Sequence, residues 1–478
     1  MGSDAGEGFL WKKKALPRAP SKETVWKTRE GFAATGGIAS DGDAIPCTGR
    51  GVLGLTCVAV CVHWKKEALS LCSFQRNRLD DGIEVRRHRG NRIGRRCDSL
   101  CRALGDGDRD GGKGVRIVRI EELRLRDYRN YASCALAPCE GVTVLLGDNG
   151  QGKTNLLEAV YLTCTGRSHR TRQDRDLVRW GAEMADVQIR TQRRDGSHEV
   201  EIRLPLAGRR HILVSGQEAS RSGELMGHVT GVLFSPEDLR TVKDGPAERR
   251  RFVDMALAQL RPAYYYAMQR YNRALKQRNE LLRAAAVQPA LMATLDSWDE
   301  QLAVSGAELM RQRREYVARL SKAAGETHRD IAGGREDLSV VYRPSVDGED
   351  ARACMEALFA AREGDVRRMT TSVGPHRDDV ALMVDGRDVR AFGSQGQQRT
   401  AALSMRLAEL GVMREELGEW PVLMLDDVMS ELDPGRRCRL LEHLSGIQTL
   451  VTCTDTDDLA GAQPGAVYRV SGASIAQL

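Results

Sequence analysis

The chain has 478 residues, enough for two or three domains with a sizeable core. Charged residues make up 29% of it and aromatic residues only 5%, which favours a helix-rich protein with long solvated faces and argues against an all-β or a membrane protein. No apolar run approaches the ~20 residues of a membrane span. The best candidate, residues 51–64, also lies too far inside the chain for a secretory signal, so we expect a cytoplasmic protein without membrane partners.

The basic charge is confined to the N-terminal segment. Residues 1–114 hold 21 Lys and Arg against 14 Asp and Glu, whereas the remaining residues hold 51 against 52. DNA contact by the main body therefore requires a local basic patch and not a global field. Residues 1–114 also lack a sustained helical or strand period. We expect them to be disordered, an accessory or non-native extension, with the functional protein beginning near Val115.

A strand and a phosphate loop follow this extension. Residues 142–146 form an apolar run typical of a buried strand. A Walker A loop comes next, formed by Gly147, Asp148, Asn149, Gly150, Gln151, Gly152, Lys153 and Thr154. Glycines let backbone N–H groups surround a pyrophosphate, Lys153 reaches the β- and γ-phosphates, and Thr154 completes a Mg²⁺ shell. With the helical spacing at 155–162, the loop predicts a nucleotide site.

The middle of the chain is predicted to be helical. Strands continue to about Pro205 with a hairpin at Asp195-Gly196, and a strand at 229–234 leads into a helix-start signal at 235–238. Residues 264–286 and 291–324 have helical character with a break near Pro289, which favours an antiparallel helical hairpin. We therefore predict a compact α-helical arm over residues 246–335, after which strands return with a hairpin at Asp385-Gly386.

The run at 393–399 resembles the signature motif of ABC-type ATPases. It contains Ser394, Gly396 and Gln397. In that motif a hydroxyl, glycine amides and a helix N-terminus together form a site for a γ-phosphate. The run therefore predicts the second half of an ATP site.

A Walker B pattern lies about thirty residues further on. The apolar run 421–425 ends in Asp426 and Asp427. We assign Asp426, together with Thr154, to the metal, and Asp427 to the attacking water. Residues 430–434 match the D-loop of ABC-type ATPases.

These motifs predict the fold class. It is α/β, a P-loop ABC-type ATPase head with an inserted helical arm. About 240 residues separate the lysine of Walker A from the signature serine, much more than in transporter-type subunits, and the excess contains the arm. The layout therefore resembles the SMC-like branch. The predicted units are residues 1–114, 115–245 with Walker A, 246–335, and 336–478 with the signature, Walker B and the D-loop. In ABC-type proteins the signature of one subunit faces the Walker A loop of the other, so we expect a homodimer on ATP.

Further runs make the chain similar to the RecF family of bacterial recombination mediators. They are residues 125–131, 147–157, 166–171, 234–239, 245–246, 249–252, 374–379, 394–399 and 425–433. Gly-Pro-His-Arg-Asp-Asp at 374–379 and Arg-Ser-His-Arg-Thr at 167–171 are the most family-specific. The resemblance covers about residues 115 to 455 and nothing before them.

The resemblance implies an ATP-dependent DNA-binding protein with weak, DNA-stimulated ATPase activity. It implies dimerisation on ATP and binding to double-stranded DNA at gaps and at single-strand/double-strand junctions. It also implies that the protein helps RecO and RecR load RecA in recombinational repair, replication restart and the SOS response. Arg129, in the first matching run, is implied as a nucleotide contact. Thr454 stands where many ABC proteins carry a switch histidine, which implies slow hydrolysis.

Two basic clusters are candidate DNA contacts. They comprise Arg167, Arg170 and Arg172 after the Walker helix, and Arg249 and Arg250 before the helical hairpin of the arm. Phosphate contact fits either cluster, and solvated charge on a helix or loop fits them equally well. Because no basic strand is interleaved with aromatic residues, sequence-independent binding is favoured.

Three alternatives share the ATPase motifs. An ABC subunit that powers transport is disfavoured by the arm and by the family-specific runs. An ATP-gated nuclease requires a metal module downstream, and only about 25 residues follow Thr452. Another SMC-like DNA clamp, with negligible turnover, differs from the favoured function only in degree.

Overall fold

A computed structural model describes residues 117–432, 435–437, 440, 444, 446–455 and 464–478, all within the unit Gly90–Leu478. The predicted extension 1–114 lies outside the described residues, and so do Asp433 and Pro434 of the D-loop. In the described part of the chain, no helix has both the length and the apolar character that crossing a membrane requires.

The described residues form both strands and helices. The strands are β1 (Arg119–Tyr128), β2 (Tyr131–Leu136), β3 (Val142–Leu146), β4 (Met184–Arg193), β5 (Gly196–Pro205), β6 (His211–Val214), β7 (Gln217–Glu218), β8 (Gly231–Phe234), β9 (Leu338–Arg343), β10 (Asp379–Val384), β11 (Arg387–Asp388), β12 (Val422–Leu425), β13 (Thr449–Cys453), β14 (Ala466–Ser471) and β15 (Ser474–Gln477). The helices are α1 (Lys153–Thr165), α2 (Leu239–Lys243), α3 (Pro246–Leu260), α4 (Pro262–Ala285), α5 (Leu295–Ala332), α6 (Ala351–Arg368), α7 (Val389–Phe392) and α8 (Gln395–Leu417).

A mostly parallel sheet positions the nucleotide motifs. Its order is β15-β14-β3-β13-β12-β8, and only β15 is antiparallel to its neighbour. Strand β13 lies between β3 and β12, with Val451 opposite both Val144 and Leu425. Because parallel strands end at the same edge of a sheet, the loop after β3 and the carboxylates after β12 meet there.

An antiparallel sheet covers the other side of helix α1. Its order is β2-β1-β4-β5-β6-β7, and the predicted hairpin at Asp195-Gly196 is confirmed by the pairing of Arg193 with Gly196. Alternate residues of β1 and β4 face a core that also holds Leu156 and Val160 of α1, each fully buried. This burial anchors the Walker helix between the two sheets.

The arm is built on an antiparallel helix pair. Helices α4 and α5 pack side by side and are joined by a 3-10 turn over Pro289–Thr294, which confirms the predicted break and hairpin. Helix α5 runs 38 residues, beyond the predicted end at residue 324, and Gly333 ends it with a φ of 73°. The sequence pattern does not predict α6, because few of its residues are buried.

One hydrophobic core joins the arm to the elements that follow it. This core includes Leu257 of α3, Tyr316 of α5, Leu382 of β10 and Val412 of α8. A three-stranded sheet, β11-β10-β9, packs into the same core. The division of the chain into units 115–245, 246–335 and 336–478 stays a prediction.

Candidate nucleotide site

The phosphate loop lies where close neighbours require glycine. A Cβ on Gly152, whose φ is 115°, would lie 2.7 Å from Nδ2 of Asn130 and 2.8 Å from the Tyr131 hydroxyl. Those two side chains hold the loop: Asn130 donates to the Gln151 carbonyl at 3.0 Å, and Tyr131 donates to the Gly152 carbonyl at 3.2 Å. A Cβ on Gly147 would lie 2.2 Å from the Val470 carbonyl oxygen. The strands on both sides therefore fix the loop backbone.

Lys153 begins helix α1 and turns back over the loop. Its ammonium donates to the carbonyl of Gly147 and, at 3.0 Å, to that of Asp148, and the side chain is buried. Asp148, Asn149 and Gly150 are exposed at the top of the loop. The predicted Walker A residues thus form one cradle, with a cation inside it and an open rim.

The predicted Walker A and Walker B segments meet at one carboxylate. Asp426 is 5% exposed and accepts hydrogen bonds from the hydroxyls of Thr154, at 3.0 Å, and of Thr452, at 2.9 Å. Burial raises the pKa of the Asp426 carboxyl above its ordinary value, while these two hydrogen bonds act in the opposite direction. The structure therefore brings together the two residues predicted to share a metal, 272 positions apart in the chain.

Asp427 is held beside this carboxylate in a left-handed backbone conformation, with φ 52°. Its N–H donates to the Thr452 hydroxyl at 2.9 Å, and the Ser430 hydroxyl donates to its Oδ1 at 3.0 Å. The side chain is exposed. A carboxylate that reaches solvent next to a buried one fits the predicted division between water and metal.

Arg129 forms a brace behind the loop. Its guanidinium donates to both carboxylate oxygens of Glu158 on α1, at 2.8 and 2.6 Å, and to the Asp176 carbonyl at 2.8 Å. Glu158 is fully buried and also accepts from the Ser168 hydroxyl at 2.6 Å. Burial alone would raise the pKa of Glu158, but the hydrogen bonds from Arg129 and Ser168 outweigh it and lower the pKa. The predicted nucleotide contact by Arg129 stays a prediction.

The signature serine caps a long helix and faces outward. Ser394 Oγ accepts from the Gln397 N–H at 3.2 Å, while the Gln397 side chain accepts from the Ser394 N–H at 2.8 Å. Gln397 also donates to Glu336 at 3.1 Å. Ser394 and Gly396 are exposed, and a Cβ on Gly396 would approach nothing closer than Ser394 Oγ, at 3.9 Å. Within the described residues, no hydrogen bond joins this segment to the phosphate loop.

The candidate DNA arginines fall into different environments. Arg167 and Arg172 are exposed, and no carboxylate of the described residues forms an ion pair with either. Arg170 donates to Asn155 of α1 at 2.8 Å. Arg249 is 5% exposed and bonds both oxygens of Asp379, at 2.8 and 3.0 Å.

Arg250 is also bonded within the chain, since it donates to the Asp378 carbonyl at 2.6 Å. Thus Arg249 and Arg250, the two candidate DNA arginines of α3, contact the family-specific run 374–379. They connect helix α3 to that run and do not present their guanidinium groups as a free basic patch.

Two functional positions are missing from the sequence predictions. Thr452 bonds Asp426 and Asp427, and the order of strands that places it there is not written in any local pattern. Glu237 lies in the Ser-Pro-Glu-Asp segment, which forms the predicted helix start, with the Ser235 N–H donating to Asp238 at 2.8 Å. Its negative charge contributes to raising the pKa of Asp426, after burial, so it belongs to the same acidic corner.

Comparisons with known proteins agree with this geometry. The family model for the RecF/RecN/SMC N terminal domain matches residues 119–473. The DNA replication and repair protein RecF of Symbiobacterium thermophilum is 45% identical over 360 residues, which cover 73% of this chain and 95% of that protein. RecF of Geobacillus thermodenitrificans is 41% identical over 372 residues, covering 75% of this chain and 99% of that protein.

Solved structures give the same result. The recombination mediator protein RecF of the RecFOR pathway, solved with ATP, has a TM-score of 0.73 and 32% sequence identity to this chain. The match covers 77% of this chain and all of that chain. The predicted fold, an SMC-like ABC ATPase head with an inserted helical arm, is thereby confirmed for the described residues. From the Walker A cradle, the outward signature serine and these relatives together, we conclude that the chain belongs to the RecF family.

Proposed function

We propose that this chain is an ATP-dependent recombination mediator that works as a head-to-tail dimer. In this proposal it binds ATP and Mg²⁺, dimerises, binds double-stranded DNA at gaps and single-strand/double-strand junctions, and helps RecO and RecR load RecA. Slow, DNA-stimulated hydrolysis then returns it to the monomer. The processes served are recombinational repair, replication restart and the SOS response.

One observation carries the proposal: a single chain holds a phosphate cradle and an exposed signature serine, and no hydrogen bond among the described residues joins the two. Lys153 and Asp426 are buried and bonded within the cradle. Ser394 is exposed on a helix N-terminus, a ready site for an anion. A second copy that presents its own Ser394 to the cradle completes the site, so ATP becomes part of the interface.

The residues at the cradle fit a magnesium nucleotide. Thr154 and Asp426 offer a hydroxyl and a carboxylate oxygen, the hard oxygen ligands that Mg²⁺ prefers. When bound, the ion neutralises phosphate charge that develops during transfer. Lys153 would exchange its bonds to the loop carbonyls for the phosphates, and Asp427 would orient water.

Conformational switching follows from the same geometry. The γ-phosphate adds contacts only in the closed dimer, so its binding shifts the equilibrium towards that dimer, and its loss reverses the shift. Thr454, at the end of β13, has no imidazole to assist turnover, which supports slow hydrolysis. Arg167 and Arg172 are exposed and have no ion pair among the described residues, which supports contacts between them and DNA phosphates. Arg249 and Arg250 are bonded within the chain, so we do not include them among the proposed DNA contacts.

A mixing experiment tests the shared site. Lys153→Ala removes the cation of one cradle, and Ser394→Arg blocks one signature. Each variant alone should lose turnover by about 10²-fold or more. An equimolar mixture should recover about a quarter of the wild-type rate, because half of the dimers are mixed and each of these keeps one intact site of two.

The control is Lys322→Ala, an exposed lysine on α5, which should behave as the wild type. Ser394→Arg should still bind ATP, since its own cradle is intact, and this shows that the variant is folded. If the mixture stays as inactive as its components while ATP binding is retained, the shared-site proposal is wrong. ATP hydrolysis by protein that remains monomeric in gel filtration would also contradict the shared-site proposal.

A further inference from the structure

A basic cavity lies where the antiparallel sheet meets the arm, away from the nucleotide motifs. It has a volume of about 570 Å³ and is lined by Arg221, Ala263, Tyr266, Gln269, Arg270 and Arg273. We call it the arginine cradle. The three arginines are its only charged residues, and all three are exposed. On a body whose net charge is close to zero, such a concentration of one sign is a local field.

The position of Arg221 relative to helix α4 is fixed by packing. The 3-10 turn Ser222–Leu225 follows Arg221 directly. A Cβ on Gly223 of this turn would lie 2.7 Å from the Tyr266 ring and 2.8 Å from the Tyr265 ring. The two rings meet edge to face, with centroids 5.9 Å apart. The turn therefore packs directly on α4, so the fold itself fixes the relative positions of the residues that line the arginine cradle.

The guanidinium groups of the cradle are available to an external anion. Among the described residues, no carboxylate lies within ion-pair distance of Arg221, Arg270 or Arg273. Glu224 shares the turn with Arg221, and hydrogen bonds from Ser220 together with the charge of Arg221 lower the pKa of its carboxyl. Arg221 is therefore partly compensated within the turn, whereas Arg270 and Arg273 lie outside it on α4.

The neighbouring groove is lined by both signs of charge, three arginines and three glutamates. It has a volume of about 780 Å³, shares Arg270 and Arg273 with the cradle, and continues towards α5 past three glutamates. These are Glu300, Glu308 and Glu349. Mixed signs on that side repel as much as they attract a polyanion, so the path for an anion runs along the cradle side of α4.

We propose that the arginine cradle binds the phosphate backbone of DNA. This rests on the proposed DNA-dependent function and assigns a surface to it. Arg270 and Arg273 are three residues apart, about 4.5 Å along the helix axis, close to the ~3.4 Å axial step between phosphates of one strand. Guanidinium groups match phosphate oxygens in a two-pronged geometry.

The chemistry of the lining favours DNA over an acidic protein segment. A peptide interface of useful affinity needs a buried apolar or aromatic anchor pocket. The cradle offers one half-buried tyrosine ring and otherwise only arginines, a glutamine and an alanine. Since nothing in it is arranged to read bases, binding there should not depend on sequence.

The test uses the full chain with ATP and a fluorescent gapped duplex over a series of salt concentrations. The triple variant Arg221→Gln/Arg270→Gln/Arg273→Gln should bind at least about 10-fold more weakly. Its plot of log affinity against log salt should lose about 0.9 in slope for each phosphate contact removed, up to about 2.7. The matched triple lysine variant should keep most of the slope.

Arg367→Gln, an exposed arginine on α6 outside the cradle, is the control and should match the wild type. ATP turnover without DNA and ATP-dependent dimerisation should be unchanged in all variants. If the wild type binds the duplex and the triple glutamine variant binds equally well with the same slope, the cradle proposal alone is wrong. If the variant instead loses only binding to polyglutamate, the surface belongs to an acidic protein. A wild type that fails to bind DNA with ATP overturns the proposed function as well.

Discussion

The phosphate cradle and the signature segment, the two halves of the proposed ATP site, are built in opposite ways. In the first, the buried charged groups are bonded inside the chain: Lys153 to loop carbonyls, Asp426 to two threonines, and Glu158 to Arg129. In the second, Ser394 bonds only within its own capping box and is exposed. We call the first the preorganised half, because its own chain holds it in place. We call the second the presented half, because it is exposed to a partner.

Because of this difference, substitutions in the two halves should have different effects. A substitution in the preorganised half should affect folding and chemistry together, because it leaves buried polar groups without partners. A substitution at the presented half should affect mainly association, because in the proposed dimer this half contacts the partner copy. The comparison therefore predicts where stability and function separate.

The largest expected effect breaks the brace of the preorganised half. Arg129→Met leaves the fully buried Glu158 without its main counter-charge and should cost about 3–5 kcal/mol of unfolding free energy. Ser394→Ala, on the presented half, loses a helix cap worth only about 1 kcal/mol. Both are measured by urea unfolding.

The control for the brace is Arg124→Met, which removes an exposed arginine of the neighbouring strand β1 that is paired with Glu122. It should cost no more than about 1 kcal/mol. Equal losses for the Arg129 and Ser394 variants would remove the distinction between the two halves.

Local motifs are sufficient to predict which segments of the chain form the candidate site. Each of the Walker A, signature and Walker B segments has its meaning within ten residues, because a phosphate is recognised by one turn of backbone and a helix end. The strand at 142–146, the hairpin at Asp195-Gly196 and the helical hairpin broken near Pro289 are likewise short-range patterns, and the structure contains all three.

Contacts that depend on the order of strands or on distant segments cannot be predicted from local sequence patterns. Thr452 bonds Asp426 only because β13 inserts between β3 and β12, a relation among three distant segments. Arg249 and Arg250 of α3 read as a basic patch in sequence, yet the Asp379 carboxylate and the Asp378 backbone carbonyl, about 130 positions away, accept hydrogen bonds from them. A charge cluster shows how much charge is present and not which partners the fold supplies.

The second prediction uses pH to separate the two halves. His376, in the run 374–379, accepts from the Tyr271 hydroxyl at Nδ1 (2.7 Å) and donates from Nε2 to the Thr371 carbonyl (3.0 Å). Burial lowers the pKa of this histidine to about 4. The stability it contributes as a neutral ring is complete above about pH 6.5 and declines as the pH falls towards 4. Glu158, whose pKa is lowered, loses nothing before about pH 4.5.

Between pH 7 and 4.5, the arm that supports the signature helix should therefore weaken while the brace behind the phosphate loop does not. We expect His376 to contribute about 2–3 kcal/mol to this fall in unfolding free energy. The measurement is urea unfolding of the wild type and His376→Gln at both pH values. Their difference in stability should shrink on acidification, and a constant difference would show that this ring does not titrate there.

The smallest effect isolates chemistry within the preorganised half. Thr452→Val removes the hydroxyl that donates to Asp426 and accepts from the Asp427 N–H, and it keeps the side-chain volume. We expect turnover to fall about 10-fold, equivalent to about 1.4 kcal/mol of barrier, because the Asp426 carboxylate and the Asp427 backbone each lose a positioning contact, while ATP-dependent dimerisation stays intact. Thr449→Val is the matched control: it lies on the same strand and donates only to the Ile447 carbonyl, at 3.2 Å. A loss of dimerisation by the Thr452 variant would mean that the two halves are not separable, since a change confined to the cradle would then have altered the presentation of Ser394.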